Sequence, residues 1–267
     1  MVGHPFFRGT TRRPRKVQDL KKLLVAAIIL AVMITFSVGT SIPVRSQTQQ
    51  KALILSSLEK YQPTHYLDRT MRYLTNDGYN VTLVKDTAVT LNLLTTQLNN
   101  YDVVFWRTNV YEWHHVTYWY VGELTNKATM QAYTQDVTNG YVDDTNAILG
   151  VNMNFLFEHF PAGSLNHVKL AVLTGSSTAN IANVFVAAGV KGTVDYYQSV
   201  SLAFGETDEI TAIVVAYLTS GVSLQNAVWQ TLLPFISQQI NGGPDPLVEP
   251  SQIPPLWYFG SGTLTIP

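Results

Sequence analysis

From Lys51 onward the chain alternates short apolar runs with stretches whose apolar residues recur at helical spacing, and this alternation restricts the fold more than any other feature. The runs at 52–55, 102–106 and 169–173 are apolar along most of their length rather than at every second position. A strand of that kind is buried on both faces, as in a parallel sheet covered by helices. Further strands are predicted at 80–84 and 192–195, with a closing strand or pair at 256–259 and 263–266. Helices are predicted over 64–77, from the cap Thr90 to about 98, through 154–157, and over 179–188, 206–219 and 223–236. Between Tyr111 and Asp144 the helical period fails. Residues 116–124 and 128–137 read there as two strands of a β-hairpin turning at Asn126-Lys127. The expected fold is a three-layer α/β domain: a mainly parallel sheet with helices on both faces, plus a β-hairpin excursion.

The first 50 residues carry a different signal. Arg8, Arg12, Arg13, Arg15, Lys16, Lys21 and Lys22 precede a run from Leu23 to Val44 that contains no charge. An uncharged run of about 20 residues matches the roughly 30 Å hydrocarbon core when helical. Basic residues stay on the cytoplasmic side, so the expected order is a basic tail over 1–22, a transmembrane helix over 23–44, a polar linker over 45–50, and an extracytoplasmic domain over 51–267. Cleavage of 23–44 as a signal peptide is the alternative reading, and it too places the domain outside the cell. Asn80-Val81-Thr82 is a glycosylation sequon, compatible with export.

Composition narrows the function classes. The net charge is -1, which gives no reason to expect a nucleic-acid partner. The chain has no cysteine, so thiol chemistry and zinc–thiolate sites are excluded. There is no Gly-x-Gly-x-x-Gly or Gly-Lys-Ser/Thr phrase, no metal site is assigned, and no cofactor is expected. Asp143-Asp144 reads either as a solvated turn or as a cation contact.

Several phrases occur in a telling order. Lys169-Leu170-Ala171-Val172-Leu173-Thr174-Gly175-Ser176 is followed by a helix and then by Ala187-Ala188-Gly189-Val190-Lys191-Gly192-Thr193-Val194. Thr207-Asp208-Glu209, Gly221-Val222-Ser223-Leu224, Asn226-Ala227-Val228-Trp229 and Trp257-Tyr258-Phe259-Gly260-Ser261-Gly262-Thr263-Leu264 come after. From Lys51 to the end the chain resembles the caspase-like (clan CD) peptidases, especially the gingipain and CHAT-domain branches. The resemblance implies a strand ending in a small-residue turn that bears a nucleophilic cysteine, and a histidine at the end of the third strand.

This sequence departs from the family at both positions. Ser176 stands at the cysteine position, or Gly175 or Ser177 if the turn is shifted, and Asn109 stands at the histidine position. A serine hydroxyl is much less acidic than a thiol and needs a base, and neutral asparagine cannot accept its proton. The resemblance therefore implies a pseudo-peptidase that binds a peptide or protein, or serves as a scaffold. A second reading makes Ser176 a nucleophile served by His114 or His115; a third makes the chain a cell-surface ligand-binding domain. Thr174, Gly175 and Ser177, at a helix start, together with Arg107 and the exposed-type aromatic Trp113, are the candidate binding residues.

Overall fold

The computed structural model describes residues 49–144, 146–197, 204–240 and 256–266, with the backbone alone described for 204–206 and 235–240. The predicted basic tail, apolar span and most of the linker, together with the loop at 242–255, lie outside the described residues. Among the described residues no helix is long and apolar enough to cross a membrane.

Among the described residues ten strands form two sheets. The larger has the order β2 (Asn80–Lys85), β1 (Lys51–Ser56), β3 (Val103–Arg107), β8 (Leu170–Thr174), β9 (Gly192–Tyr196), β10 (Leu256–Gly260). All pairings are parallel except that of β10 with β9. Every residue of β3 and β8 is buried, as is β1 after Lys51, which explains why these strands read as continuous apolar runs. The edge strand β2 alternates exposed and half-buried residues.

Each face of this sheet carries its own core. On one, Ala52, Ile54, Val103, Phe105, Leu170 and Val172 pack against helices α1 (Tyr66–Asn76), α7 (Phe204–Thr219) and α8 (Leu224–Ile240). On the other, Leu53, Leu55, Val104, Trp106, Ala171 and Leu173 meet α2 (Leu91–Gln97), α5 (Met153–His159) and α6 (Ala179–Ala187). Side chains set several helix starts: Thr90 accepts the Leu93 N–H at 3.1 Å and Asn152 accepts those of Asn154 and Phe155 at 3.0 and 3.2 Å.

The excursion differs from expectation. Its hairpin is β4 (Val110–Trp113) with β5 (Val116–Leu124), turning at His114 and His115, both at positive φ (49° and 63°), rather than at Asn126-Lys127. Residues 128–137 are not a strand. They form two short helices, α3 (Lys127–Ala132) and α4 (Thr134–Thr138), because the Asn126 side chain caps the Ala128 and Thr129 amides and Met130, Tyr133 and Val137 face the core at helical spacing. The sequence reading missed β6 (Val142–Asp143) and β7 (Ile148–Val151), which join the hairpin in a four-stranded antiparallel sheet of order β4-β5-β7-β6. Asp143 is accordingly no solvated turn: it is buried in β6 and accepts the Tyr111 hydroxyl at 2.6 Å. Residues 263–266 do not form a strand either; the Gly262 and Leu264 carbonyls accept the Gln225 and Leu224 amides and so close the start of α8.

One carboxyl group sits inside the large sheet. Asp195, on β9, is fully buried; one oxygen accepts the Thr193 hydroxyl at 3.2 Å and the other finds no donor. Burial pushes this carboxyl up to about 7, against the pull of the Thr193 hydrogen bond. The folded state therefore keeps the proton while the unfolded chain releases it near the ordinary value of 3.8. Stability is fully present at low pH and falls as pH rises through the window between those values, at a slope on the order of 1 kcal/mol per pH unit. Asp195→Asn, which mimics the protonated form, is expected to match the parent at about pH 4 and exceed its stability at about pH 8. Equilibrium unfolding across this range checks it, and parallel curves for the two proteins would contradict it.

Candidate functional site

The chain runs from β1 outward to β2 and then returns to β3 on the other side of β1. In open parallel sheets this reversal opens a crevice at the carboxyl ends of the strands. The carboxyl end of β3 continues into Thr108 and Asn109, and that of its neighbour β8 into Gly175 and Ser176.

These two segments are in contact. Arg107 pairs with Thr174 in the ladder, and the Thr108 amide extends it by donating to the Thr174 carbonyl at 2.9 Å. Gly175 then adopts φ 137°, and a Cβ there would lie 2.0 Å from the Thr108 carbonyl oxygen and 3.8 Å from the Asn109 Cα. No side chain fits, so glycine lets the bend press against Asn109. Ser177 follows at φ 55°. The buried Thr178 pins the bend: its hydroxyl donates to the Leu173 carbonyl at 3.1 Å and accepts the Tyr196 N–H at 3.0 Å. Ser176 and Ser177 are half-buried. Asn109 turns its side-chain oxygen to the Val110 amide at 2.8 Å, and its carbonyl accepts the Tyr120 N–H at 3.0 Å.

The other candidates lie elsewhere. Thr174 is buried, with its hydroxyl 3.4 Å from that of Thr211 on the α7 side. Arg107 is only 2% exposed, and its Nε donates to both oxygens of Asp208 on α7, at 2.9 and 3.1 Å. Its Nη1 lies 3.8 Å from Glu59 and 3.5 Å from the Ser56 hydroxyl. This guanidinium is committed to an internal ion pair rather than offered to an outside ligand. Burial lifts the Asp208 carboxyl above its ordinary value, with the guanidinium acting against the rise. Burial also raises the phenol of Tyr66, which lies beside this cluster. Sequence reading singled out Arg107 but not Glu59, Tyr66 or the pairing role of Asp208.

His114 and His115 occupy the hairpin tip, at the far end of β4 from Asn109. Four strand residues separate them from the rim, roughly 13 Å of chain. The His115 side chain is 99% exposed and lies 3.5 Å from Glu112. Trp113, also exposed, packs its ring 4.6 Å from that of His114. On the same hairpin Tyr111 stacks between Tyr118 and Tyr120, at 5.5 and 4.5 Å, and a Cβ at Gly150 would strike its hydroxyl. Between the hairpin tip and the first turn of α6 lies a cleft of about 240 Å³, bordered by His115, Trp119 and Asn180. A polar recess of about 600 Å³ lies at the opposite end of the sheet, around Lys51, Asn80 and His167. Among the described residues no three His, Asp or Glu side chains gather as a metal site.

As chemistry, the rim offers a hydroxyl at Ser176 and the start of a helix, but Asn109 supplies no base. No protein-family model matches the chain, and no curated protein does. Among solved structures, an ADP complex of Bacillus subtilis pyridoxal kinase aligns over 71% of this chain and 91% of its own, at 9% identity and a TM-score of 0.30. Two structures of Staphylococcus aureus pyridoxal kinase align at 10% identity: the complex with AMP-PCP and pyridoxal over 74% of this chain and 91% of its own, TM-score 0.30, and the complex with pyridoxal over 71% and 87%, TM-score 0.31. Likeness at that level carries no argument about this chain.

The buried pair yields a stability test. Arg107→Met strands the Asp208 carboxylate and is expected to cost about 3–5 kcal/mol, whereas Arg107→Met combined with Asp208→Leu recovers most of that loss. Denaturant unfolding of the two variants checks this. A single variant that unfolds with the parent would show that the pair contributes nothing.

Proposed function

We propose that this chain is a caspase-like domain that has lost peptide hydrolysis and works as a binding or scaffold module, held outside the cell by its N-terminal apolar segment. The observation that carries the reading is the close contact of the Thr174–Ser177 bend with Asn109 across Gly175 and Thr108. Those are the positions where the resemblance requires a cysteine and a histidine to meet. The scaffold for a dyad is thus kept, while the groups on it are a weakly acidic hydroxyl and a neutral amide. Asn109 further commits its side-chain oxygen to the adjacent backbone. The export part of the proposal stands on the basic residues before Leu23 and the uncharged run after them.

A second reading retains hydrolysis, and one observation favours it. His115 borders the same cleft as Asn180, four residues beyond Ser176. In that reading His115 is the general base and amides at the start of α6 receive the oxyanion.

A fluorophosphonate probe separates the two on the full-length protein in its native membrane. The expected result is no labelling above that of Ser176→Ala. Labelling that vanishes in Ser176→Ala and in His115→Ala would overturn the loss of hydrolysis. Protease added to intact cells is expected to remove the domain, and a protected domain would overturn its external placement.

A further inference from the structure

The sequon Asn80-Val81-Thr82 forms the first three residues of β2, an edge strand of the large sheet. Val81 and Leu83 pack against the core beneath α1, α7 and α8. Successive side chains of a strand point to opposite faces, so Asn80 and Thr82 both turn to the other face, and both are exposed. The acceptor carboxamide and the hydroxyl that a sequon requires thus stand together on one accessible side. The backbone is fixed at the same point: the Asn80 N–H donates to the Gln50 carbonyl at 2.8 Å, and Asn80 pairs with Lys51 in the ladder.

The face to which they turn is hollow. Asn80 and Thr82 form one side of the polar recess of about 600 Å³, and Gln97, Asn99, Asn100 and Tyr101, in the segment that ends α2 and leads into β3, form another. Two of these carboxamides are already oriented. The Asn99 oxygen accepts the His167 backbone N–H at 2.9 Å, and the Asn100 nitrogen donates to the Gln97 oxygen at 3.0 Å. The Asn99 nitrogen and the Asn100 oxygen take no part in these bonds. Tyr101, half-buried against the core, adds an aromatic ring to the wall.

Carboxamides offer both donors and acceptors, as sugar hydroxyls do, and a tyrosine ring adds a flat apolar surface with a polar tip. No Asp or Glu side chain lines the recess among the described residues. Its volume falls in the range of small-molecule sites, roughly 300–1,000 Å³, but those are mostly apolar inside. A polar lining of this kind suits a neutral ligand rich in hydroxyl groups. Because the acceptor Asn80 is itself part of the wall, a sugar joined to it enters the recess without crossing solvent.

We propose that Asn80 carries an N-linked sugar chain whose first residue is seated in this recess against Tyr101. The bond that forms joins the Asn80 carboxamide nitrogen to C1 of the first sugar. The bond that breaks joins that carbon to the phosphate of a lipid-linked sugar donor; the phosphate leaves with the electron pair, and the amide proton passes to a base of the transferring membrane enzyme. The proposal rests on the external placement of the domain and names a modification of the domain so placed.

The test uses full-length protein purified from its native membrane. Mass spectrometry of the peptide containing Asn80 is expected to show the added mass of a sugar chain, kept in Thr82→Ser and lost in Asn80→Gln and Thr82→Ala. Seating is read from thermal unfolding. Asn80→Gln is expected to lower Tm by about 2–4 °C. Tyr101→Ala is expected to lower the Tm of the glycosylated protein by about 2–4 °C more than it lowers that of Asn80→Gln. Equal effects of Tyr101→Ala in the two backgrounds would overturn the seating, and an unmodified Asn80 would overturn the whole proposal. Protease added to intact cells keeps the two readings apart. An unmodified Asn80 on a domain that the protease removes defeats the sugar site alone, whereas an unmodified Asn80 on a protected domain defeats the external placement with it.

Discussion

A permanent charge sealed inside the molecule organises everything above it. Arg107 ends the third strand of the sheet, and its guanidinium cannot shed its proton. It must therefore be met by carboxylates wherever it is buried. Asp208 meets it from α7, and Glu59 from the segment after β1. Glu59 itself accepts the Ser56 hydroxyl at 3.1 Å and lies 3.6 Å from Lys85 at the end of β2. One cation thus ties the carboxyl ends of β1, β2 and β3 to the opening turn of a helix on the adjacent face. Because Thr108 and Asn109 follow directly, the rim inherits its position from this pair. The same network accounts for the burial of Arg107, which the sequence offers as a ligand contact.

A second layer of order is made of hydroxyl groups. The Tyr196 hydroxyl donates to the Thr207 carbonyl at 2.8 Å and lies 2.9 Å from that of Thr211, which in turn bonds the same carbonyl. With Thr178 and Thr193 these groups satisfy polar atoms under the rim while adding no charge. Beside the Arg107 cluster, hydroxyls supply much of the interior polarity of a chain with 13% charged residues, and Asp195 stands apart as a carboxyl whose second oxygen stays unmet.

The central strands were legible because burial on both faces leaves a continuous apolar run, and the bend after β8 was legible because small residues interrupt that run abruptly. The contact of that bend with Asn109 could be expected from adjacent parallel strands ending at one edge. Residues 128–137 look like a strand because their Thr, Tyr and Val content favours strands, while the helix is signalled only by the spacing of Met130, Tyr133 and Val137 and by the cap at Asn126. The second sheet escaped notice since β6 contributes two residues and β7 four, too few to show a period. Arg107 and Asp208 are 101 residues apart, and no local pattern announces a pairing over that separation.

The two margins of the large sheet are unlike each other. At one, β10 runs against its neighbour and ends the parallel series; at the other, β2 has no further strand beside it among the described residues, and its exposed positions are polar. Such a margin invites pairing with a strand of another molecule. Asn80 and Thr82, the first and last residues of the sequon, both point to solvent on that strand. A sugar chain attached there would stand as a bulky, hydrated fence beside that margin, and would keep neighbouring copies from zipping together.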